Sequence, residues 1–129
     1  MLVITSKSAH AVRALAELAR RGSSPVPIGE VAARRDISPQ FLESLFVTLR
    51  RGGVLQSQRG VKGGYSFGRA PSSITVLEIV ELLDGKLGAG AESIFSEAAE
   101  AARAVLSNST IADIVERENR DAGATMYYI

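Results

Sequence analysis

Cysteine is missing from the 129 residues, and histidine occurs once, as His10. Without thiols the chain has no disulfide bonds, no thiolate metal ligands and no cysteine nucleophile. One imidazole leaves little room for a catalytic triad and cannot hold a metal ion alone. The GxSxG, HExxH and P-loop patterns of common hydrolases, zinc proteases and nucleotide-binding enzymes are also absent. We therefore expect a protein that is not an enzyme and that has no cofactor.

Long apolar runs are absent as well. No segment reaches the roughly 18 uninterrupted apolar residues of a membrane-spanning helix, and the first residues lack the regions of a signal peptide. The chain is 46% hydrophobic and 22% charged, which is ordinary for a soluble globular protein. These features predict a compact cytoplasmic protein without a membrane partner.

What the sequence does contain is a strong charge asymmetry. Residues 1–69 carry 11 Lys or Arg and 4 Asp or Glu, a net charge of +7. Residues 70–129 carry 4 basic and 10 acidic residues, a net charge of −6. A polyanion is attracted to the first half and repelled by the second. The distribution favours nucleic acid as the partner, although a merely solvated basic surface has the same composition.

A candidate recognition helix begins after Ile37. Ser38 is a good N-cap and Pro39 suits the first helical position. An apolar stripe at helical spacing follows, formed by Leu42, Leu45, Phe46 and Leu49. Polar residues fall outside the stripe, among them Gln40, Glu43, Ser44 and Arg50. This outer face is suited to reading DNA, because glutamine can pair with adenine and glutamate can accept a hydrogen bond from cytosine.

A glycine-rich basic hairpin follows this helix. The pair at 52–53, Gly-Gly, should end the helix, and residues 54–57 alternate loosely as a short strand. Residues 59–64 form a turn too rich in glycine to continue the strand, and residues 65–67 return as the second strand. A recognition helix with a basic hairpin after it is typical of a winged helix-turn-helix protein.

The remaining elements complete this arrangement. A first helix should run from about residues 6–8 to Arg21, and Ile28 to Arg35 should form the first helix of the helix-turn-helix. Thr75 and Glu78 fit a capping box that opens a helix ending at residues 84–85. The predicted fold is mainly α: a winged helix-turn-helix DNA-binding domain at residues 1–84 with a small β-hairpin wing, and a C-terminal part at residues 85–129 with a long dimerisation helix.

The C-terminal part should pair two copies of the chain. From residue 91 to about 106 the sequence is rich in helix formers, and one stripe follows coiled-coil spacing: Ile94, Ala98, Ala101 and Val105. Small alanines let a partner helix approach closely, so we favour a homodimer, with packing inside the same chain as the alternative. A last helix should run from Ile111 to about Glu118, with Thr110 and Asp113 as its capping pair. A polar tail, residues 119–124, should follow it.

Several motifs resemble the Rrf2 family of bacterial repressors, which includes iron-sulfur and nitric-oxide sensors. They are LESL at 42–45, the glycine pair at 52–53 and above all RGVKGGY at 59–65. The resemblance implies a DNA-binding protein whose recognition helix enters the major groove and whose Arg59 enters the minor groove. The residues expected to bind double-stranded DNA are Ser38, Gln40, Glu43, Ser44, Arg50, Arg59, Gly60, Lys62, Gly63, Gly64 and Tyr65.

The same resemblance bears on sensing. Many relatives hold an iron-sulfur cluster through three cysteines in the segment that corresponds to residues 85–97, and none is present here. Some relatives place a further cluster ligand in the region of His10, for which a packed or solvent-facing side chain is the ordinary alternative. The absence of thiolates predicts a regulator without a cluster.

Family members without these cysteines include the repressor of cysteine metabolism, whose chain also ends in an aromatic residue and isoleucine. The resemblance therefore implies regulation of cysteine and sulfur genes, with cysteine synthase as a corepressor that binds Tyr128 and Ile129. Three alternatives remain: an apolar tail that packs on its own chain, a repressor that responds to a small molecule, and a winged-helix protein-interaction scaffold without specific DNA binding.

Overall fold

The computed structural model describes residues 4–127, with side chains described for residues 4–123. Its elements in chain order are α1 (Ser6–Arg20), α2 (Ile28–Arg35), α3 (Pro39–Arg51), β1 (Leu55–Gln58), β2 (Gly64–Phe67), a single 3-10 turn (Pro71–Ser73), α4 (Val76–Asp84), α5 (Ile94–Ser107) and α6 (Ile111–Tyr127). The two strands form an antiparallel hairpin. Six helices with one hairpin confirm the predicted mainly α, winged-helix class. Within residues 4–127 no helix is long and apolar enough to cross a membrane.

The core lies where the first three helices meet the hairpin. Leu15 and Leu18 of α1 are fully buried against the stripe of α3, in which Leu42, Phe46 and Leu49 are also fully buried. The predicted stripe is therefore the core-facing side of α3, and the polar positions remain on its outer side.

Capping residues fix where the helices begin. Ser38 accepts a hydrogen bond from the backbone N–H of Phe41 at 3.4 Å, which confirms it as the N-cap of α3. Thr75 likewise caps α4 by accepting from the N–H of Glu78 at 3.2 Å. The predicted reciprocal half of that box was wrong, because the Glu78 carboxylate pairs with Arg69. At the start of α6 both halves of the box form: Asp113 N–H donates to Thr110, and Thr110 N–H donates to the Asp113 carboxylate.

The prediction that α6 ends near Glu118 was wrong. The helix continues to Tyr127, so residues 119–124 are helical instead of a polar tail. The segment contains no proline, and the single Gly123 costs a helix only about 1 kcal/mol relative to alanine. Arg20 of α1 also donates hydrogen bonds to Glu118 at 2.9 Å and to Asn119 at 2.8 Å. Tertiary contacts with α1 thus stabilise α6 beyond the predicted end.

A network of ion pairs joins α6 to the first two helices. Arg35, at the end of α2, donates to Glu118 at 2.7 Å and to Glu17 of α1 at 3.1 Å. Arg20 also pairs with Glu118. The hydrogen bond to Glu118 raises the pKa of Arg35, against the lowering effect of burial. The same bond lowers the pKa of Glu118, with burial opposing and Arg20 assisting. α2, the helix that precedes α3, is therefore tied to α6.

The segment between α4 and α5 packs against both helices. Leu87 is 2% exposed in a second apolar cluster with Val76 and Val80 of α4, and Ala102 and Leu106 of α5 pack on that cluster. The backbone N–H of Leu87 also donates to Glu81 at 3.1 Å. These contacts cross the boundary that the sequence places at residues 84–85, and that boundary stays a prediction.

Candidate nucleic-acid interface

The outer face of α3 presents short polar side chains. Ser38, Gln40, Glu43 and Ser44 are all exposed. The Ser38 hydroxyl donates to the side-chain oxygen of Gln40 at 3.2 Å, and the Ser44 hydroxyl donates to the Phe41 carbonyl at 2.6 Å. Each hydroxyl oxygen can still accept a hydrogen bond. The first two turns of α3 therefore offer donors and acceptors of the kind that read base edges in the major groove.

The hairpin is fixed beside this face by two side-chain hydrogen bonds. The Tyr65 hydroxyl donates to Glu43 Oε1 at 3.0 Å, and Arg50 donates to the Ser57 hydroxyl at 3.2 Å. Ser57 and Tyr65 are directly opposite each other in the hairpin. The wing is therefore held at two points on α3 that lie about two helical turns apart.

Tyr65 itself is a core residue with a polar end. It is 7% exposed, and its ring meets that of Phe46 edge to face, with 5.1 Å between centroids. Burial raises the pKa of Tyr65, the hydrogen bond to Glu43 raises it further, and the positive charge of Arg50 opposes the shift. The hydroxyl therefore remains a donor at neutral pH.

The tip of the wing is fully open to solvent. Arg59, Gly60, Val61 and Lys62 are exposed, and no atom lies within 4 Å of the Cβ position of Gly60, whose φ is +113°. Sequence reasoning omitted Val61, the most exposed large apolar side chain among the described residues. The position of Val61 between Arg59 and Lys62 in the predicted turn could have identified it as part of the wing tip. The tip offers two cations and one apolar side chain to a neighbouring surface.

The two glycines at the base of the wing are required by the fold of this chain. A Cβ at Gly63 would lie 2.2 Å from the Gln58 carbonyl oxygen, and one at Gly64, where φ is +148°, would lie 2.3 Å from the Val26 carbonyl. Val26 and Tyr65 exchange two backbone hydrogen bonds of 2.9 Å each. Close approach of the chain to itself thus explains the half-buried Gly63 and Gly64.

Unpaired positive charge concentrates beside these features. Five arginines of the basic half take part in ion pairs: Arg20, Arg21, Arg34, Arg35 and Arg69. Among residues 4–123, no ion pair involves Arg50, Arg51, Arg59 or Lys62, which lie at the end of α3 and in the wing. These four cations lie where the polar face of α3 meets the wing, and together they favour binding of a polyanion there.

The predicted dimerisation stripe lies on the solvent side of α5. Ile94 and Val105 are 61% and 66% exposed, and Ala98 and Ala101 between them are exposed as well. Phe95 is 67% exposed as well, although its spacing places it on the side of α5 that carries Ala99 and Ala102. Sequence reasoning missed it because it lies outside the 4-3-4 spacing. The other side of α5 packs on the rest of the chain through Ala99, Ala102 and Leu106.

The donor groups do not fit an iron-sulfur cluster. The sequence has no cysteine, and in the part of the chain that the structure describes no three His, Asp or Glu side chains are grouped to hold a metal ion. His10 is half-buried, lies edge to face with Phe41 at 5.7 Å, and its Nδ1 has no hydrogen-bond partner within that part. His10 is therefore a packed side chain. Tyr128 and Ile129, predicted to bind cysteine synthase, lie outside the described residues.

Comparison with known proteins agrees with this geometry. Residues 4–117 match the family model Rrf2, described as iron-dependent transcriptional regulators. The transcriptional regulator IscR of Escherichia coli is 39% identical over 87 residues, which are 67% of this chain and 54% of the relative. The alignment therefore spans about half the length of the curated relatives.

Two solved structures extend the comparison over most of the chain. The global cysteine regulator CymR of B. subtilis has a TM-score of 0.80 at 29% identity, covering 91% of this chain and 98% of the other. The IscR of T. potens has a TM-score of 0.79 at 31% identity, covering 91% and 88%. These relatives are transcriptional regulators and not enzymes. The chain belongs to the Rrf2 family of winged-helix transcriptional regulators.

Proposed function

We propose that this protein is a homodimeric repressor that binds a specific sequence of double-stranded DNA. The observation that carries the proposal is the wing fixed beside the polar face of α3, with unpaired cations at the junction. A helix with exposed short polar groups reads bases in the major groove, while a basic wing contacts a neighbouring groove or the backbone. The family match supports the same assignment.

The side chains divide into base-reading and positioning groups. Gln40 can bond adenine and Glu43 can accept from cytosine N4, with Ser38 and Ser44 beside them. Arg59 is assigned to the minor groove, which the turn at Gly60 lets it approach. Lys62 and Arg50 are assigned to phosphates, where they add affinity without sequence information. Gly63, Gly64 and Tyr65 belong to the interface by shaping the wing.

The exposed face of α5 is assigned to the dimer. Contiguous exposed apolar side chains mark interaction surfaces, and alanines between Ile94 and Val105 allow close packing against the same helix of a second copy. A two-fold pair would present two α3 helices to half-sites about 34 Å apart, one turn of DNA.

The target genes and the corepressor are a finer proposal. Similarity to the B. subtilis global cysteine regulator supports control of cysteine metabolism. Cysteine synthase would then bind Tyr128 and Ile129 as a docking peptide. Titration calorimetry with intact protein and with a variant lacking these two residues tests this, and equal affinities would remove the synthase from the mechanism.

DNA binding itself is tested by selection from a randomised duplex pool, followed by fluorescence anisotropy on the enriched sequence. We expect the slope of log K against log salt to be steep, about −0.9 for each phosphate neutralised. Arg59→Ala should weaken binding and make the slope shallower. Arg120→Ala on α6 removes the same charge from an exposed position on the acidic half. It should leave the affinity and the salt dependence unchanged. A flat salt dependence, or equal behaviour of the two variants, would contradict the assignment.

A further inference from the structure

We propose that Tyr65 sets base preference indirectly, by holding the Glu43 carboxylate in place on the outer face of α3. The inference deepens the proposed function and rests on it, because it needs Glu43 to read a base. Tyr65 would be a positioning residue that contributes to specificity through another side chain.

The position of the Tyr65 hydroxyl is set by the core. The ring is almost fully buried and packs edge to face on Phe46, and the Tyr65 backbone exchanges two hydrogen bonds with Val26. The hydroxyl is thus delivered from a rigid support to Glu43 Oε1 at 3.0 Å. Glu43 by contrast is exposed, so this bond is its link to the fixed part of the molecule.

The hydrogen bond leaves the carboxylate able to act. An exposed glutamate has three rotatable bonds and loses their freedom when it engages a base. The bond to Tyr65 removes part of that freedom beforehand and uses Oε1 only. Within the described residues nothing else bonds to the carboxylate, so Oε2 can accept from a cytosine amino group. A fixed carboxylate also repels the O6 of guanine and the O4 of thymine, which are acceptors.

The wing does not depend on the hydroxyl for its attachment. Arg50 and Ser57 form a second link between α3 and the hairpin, and the Tyr65 ring on Phe46 forms a third. The pairing with Val26 also ties the hairpin to the segment before α2. Replacing Tyr65 by phenylalanine keeps the ring and removes only the donor. The substitution should then change binding only at the base that Glu43 contacts. If Tyr65 acted only by supporting the wing, the change would not be limited to that base.

The experiment compares the wild type with three variants: Tyr65→Phe, Glu43→Ala and the double variant. Selection from a randomised duplex pool first identifies the base pair at which their preference differs. Anisotropy then measures the affinity for the enriched duplex with each of the four bases at that position. Glu43→Ala should reduce discrimination at one base pair by about 5- to 150-fold. Tyr65→Phe should reduce it at the same base pair by a smaller factor than Glu43→Ala does, because the carboxylate is still present. In the Glu43→Ala background it should have no further effect. Gln56→Ala, which removes a hydrogen bond to Ser66 inside the hairpin that touches neither Glu43 nor α3, should leave base preference unchanged.

Distinct outcomes separate this inference from the proposed function. If the wild-type protein enriches no sequence, the proposed function fails and the inference fails with it. If the wild type is specific but Tyr65→Phe shows the wild-type preference, or its effect adds to that of Glu43→Ala, the inference alone is overturned. The inference is also overturned if Tyr65→Phe binds every sequence more weakly by the same factor and keeps the wild-type base preference. It is likewise overturned if Glu43→Ala keeps the wild-type base preference.

Discussion

Replacing Glu118 by glutamine should destabilise the protein through the ion-pair network that ties α6 to α1 and α2. The Glu118 carboxylate accepts hydrogen bonds of 2.7 and 3.0 Å from Arg35 and of 2.9 and 3.3 Å from Arg20. The Arg35 side chain is 13% exposed. Glutamine keeps the size of the side chain but removes the charge that compensates this guanidinium.

The expected loss is smaller than for a fully buried pair. Removing one partner of such a pair costs about 3 to 5 kcal/mol. Here Glu118 is 29% exposed and Arg35 keeps Glu17 at 3.1 Å. We therefore expect the free energy of unfolding to fall by about 1 to 3 kcal/mol, the usual cost of leaving a buried donor or acceptor without its partner. For a chain of this size each kcal/mol lowers Tm by about 3 to 6 °C.

The effect should also depend on pH in a defined direction. The pKa of Glu118 is lowered in the folded protein from its ordinary value of 4.5. Its contribution is therefore fully present above pH 4.5 and is lost as the pH falls through the folded pKa. The difference in stability between wild type and Glu118→Gln should be largest at neutral pH, shrink below pH 4.5 and vanish below the folded pKa.

Urea unfolding followed by circular dichroism, at one fixed protein concentration and several pH values, measures these differences. Glu116→Gln is the matched control, because Glu116 is an exposed residue of α6 with no ion pair among the described residues. It should change stability by less than about 0.5 kcal/mol. A loss in Glu118→Gln that matches the control, or that persists undiminished at pH 2, would refute the role of the network.

Two further predictions concern the dimer face and the base of the wing. Ala98→Glu combined with Ala101→Glu should convert the proposed homodimer to monomers in light scattering, because two charges per chain would enter the proposed apolar contact. Gly64→Ala should lower stability by more than about 1 kcal/mol in urea unfolding, because its φ is +148° and its Cβ would lie 2.3 Å from the Val26 carbonyl.

Matched controls exist for both predictions. Ser96→Glu with Ser107→Glu adds the same charge to exposed positions of α5 away from the stripe and should leave the dimer intact. Gly29→Ala, in α2 with nothing within 4 Å of its Cβ position, should stabilise by up to about 1 kcal/mol. A dimer that survives in the doubly charged stripe variant would place the interface elsewhere, and a Gly64→Ala protein as stable as Gly29→Ala would contradict the steric argument.

Local signals predicted α3 well. Ser38, Pro39 and the apolar stripe act within this one helix, so capping and periodicity are enough to place it. The hairpin was also visible from its turn residues, although β1 is Leu55–Gln58 instead of residues 54–57.

The extent of α6 could not be read in this way. Its second half is polar and contains Gly123, and its local sequence resembles a tail. The contacts that anchor the middle of α6, at Glu118 and Asn119, come from Arg20 and Arg35, which are 83 to 99 residues away in the sequence. Asp84 illustrates the same limit. Its carboxylate accepts hydrogen bonds from Thr5 and Ser8 at the start of α1, whereas the sequence showed only the end of a helix.

The wing motif shows a different limit. A sequence can indicate that Gly63 and Gly64 are glycines for a steric reason, but it cannot show which atoms occupy the space. The structure shows this chain's own backbone at both positions. Tyr65 was grouped with the DNA-binding residues by its place in the motif. Its ring belongs to the core, and only its hydroxyl reaches the outer face of α3.

The central claim is that the protein recognises a specific DNA sequence. The ratio of its affinities for a specific and a nonspecific duplex tests this most directly. Anisotropy at physiological salt should compare the affinity of the wild-type protein for the duplex enriched by selection with its affinity for a scrambled duplex of the same composition. We expect the enriched duplex to bind about a thousandfold more tightly or better, as is usual for specific regulators. A ratio near one would contradict the account, because a basic surface alone binds every duplex equally.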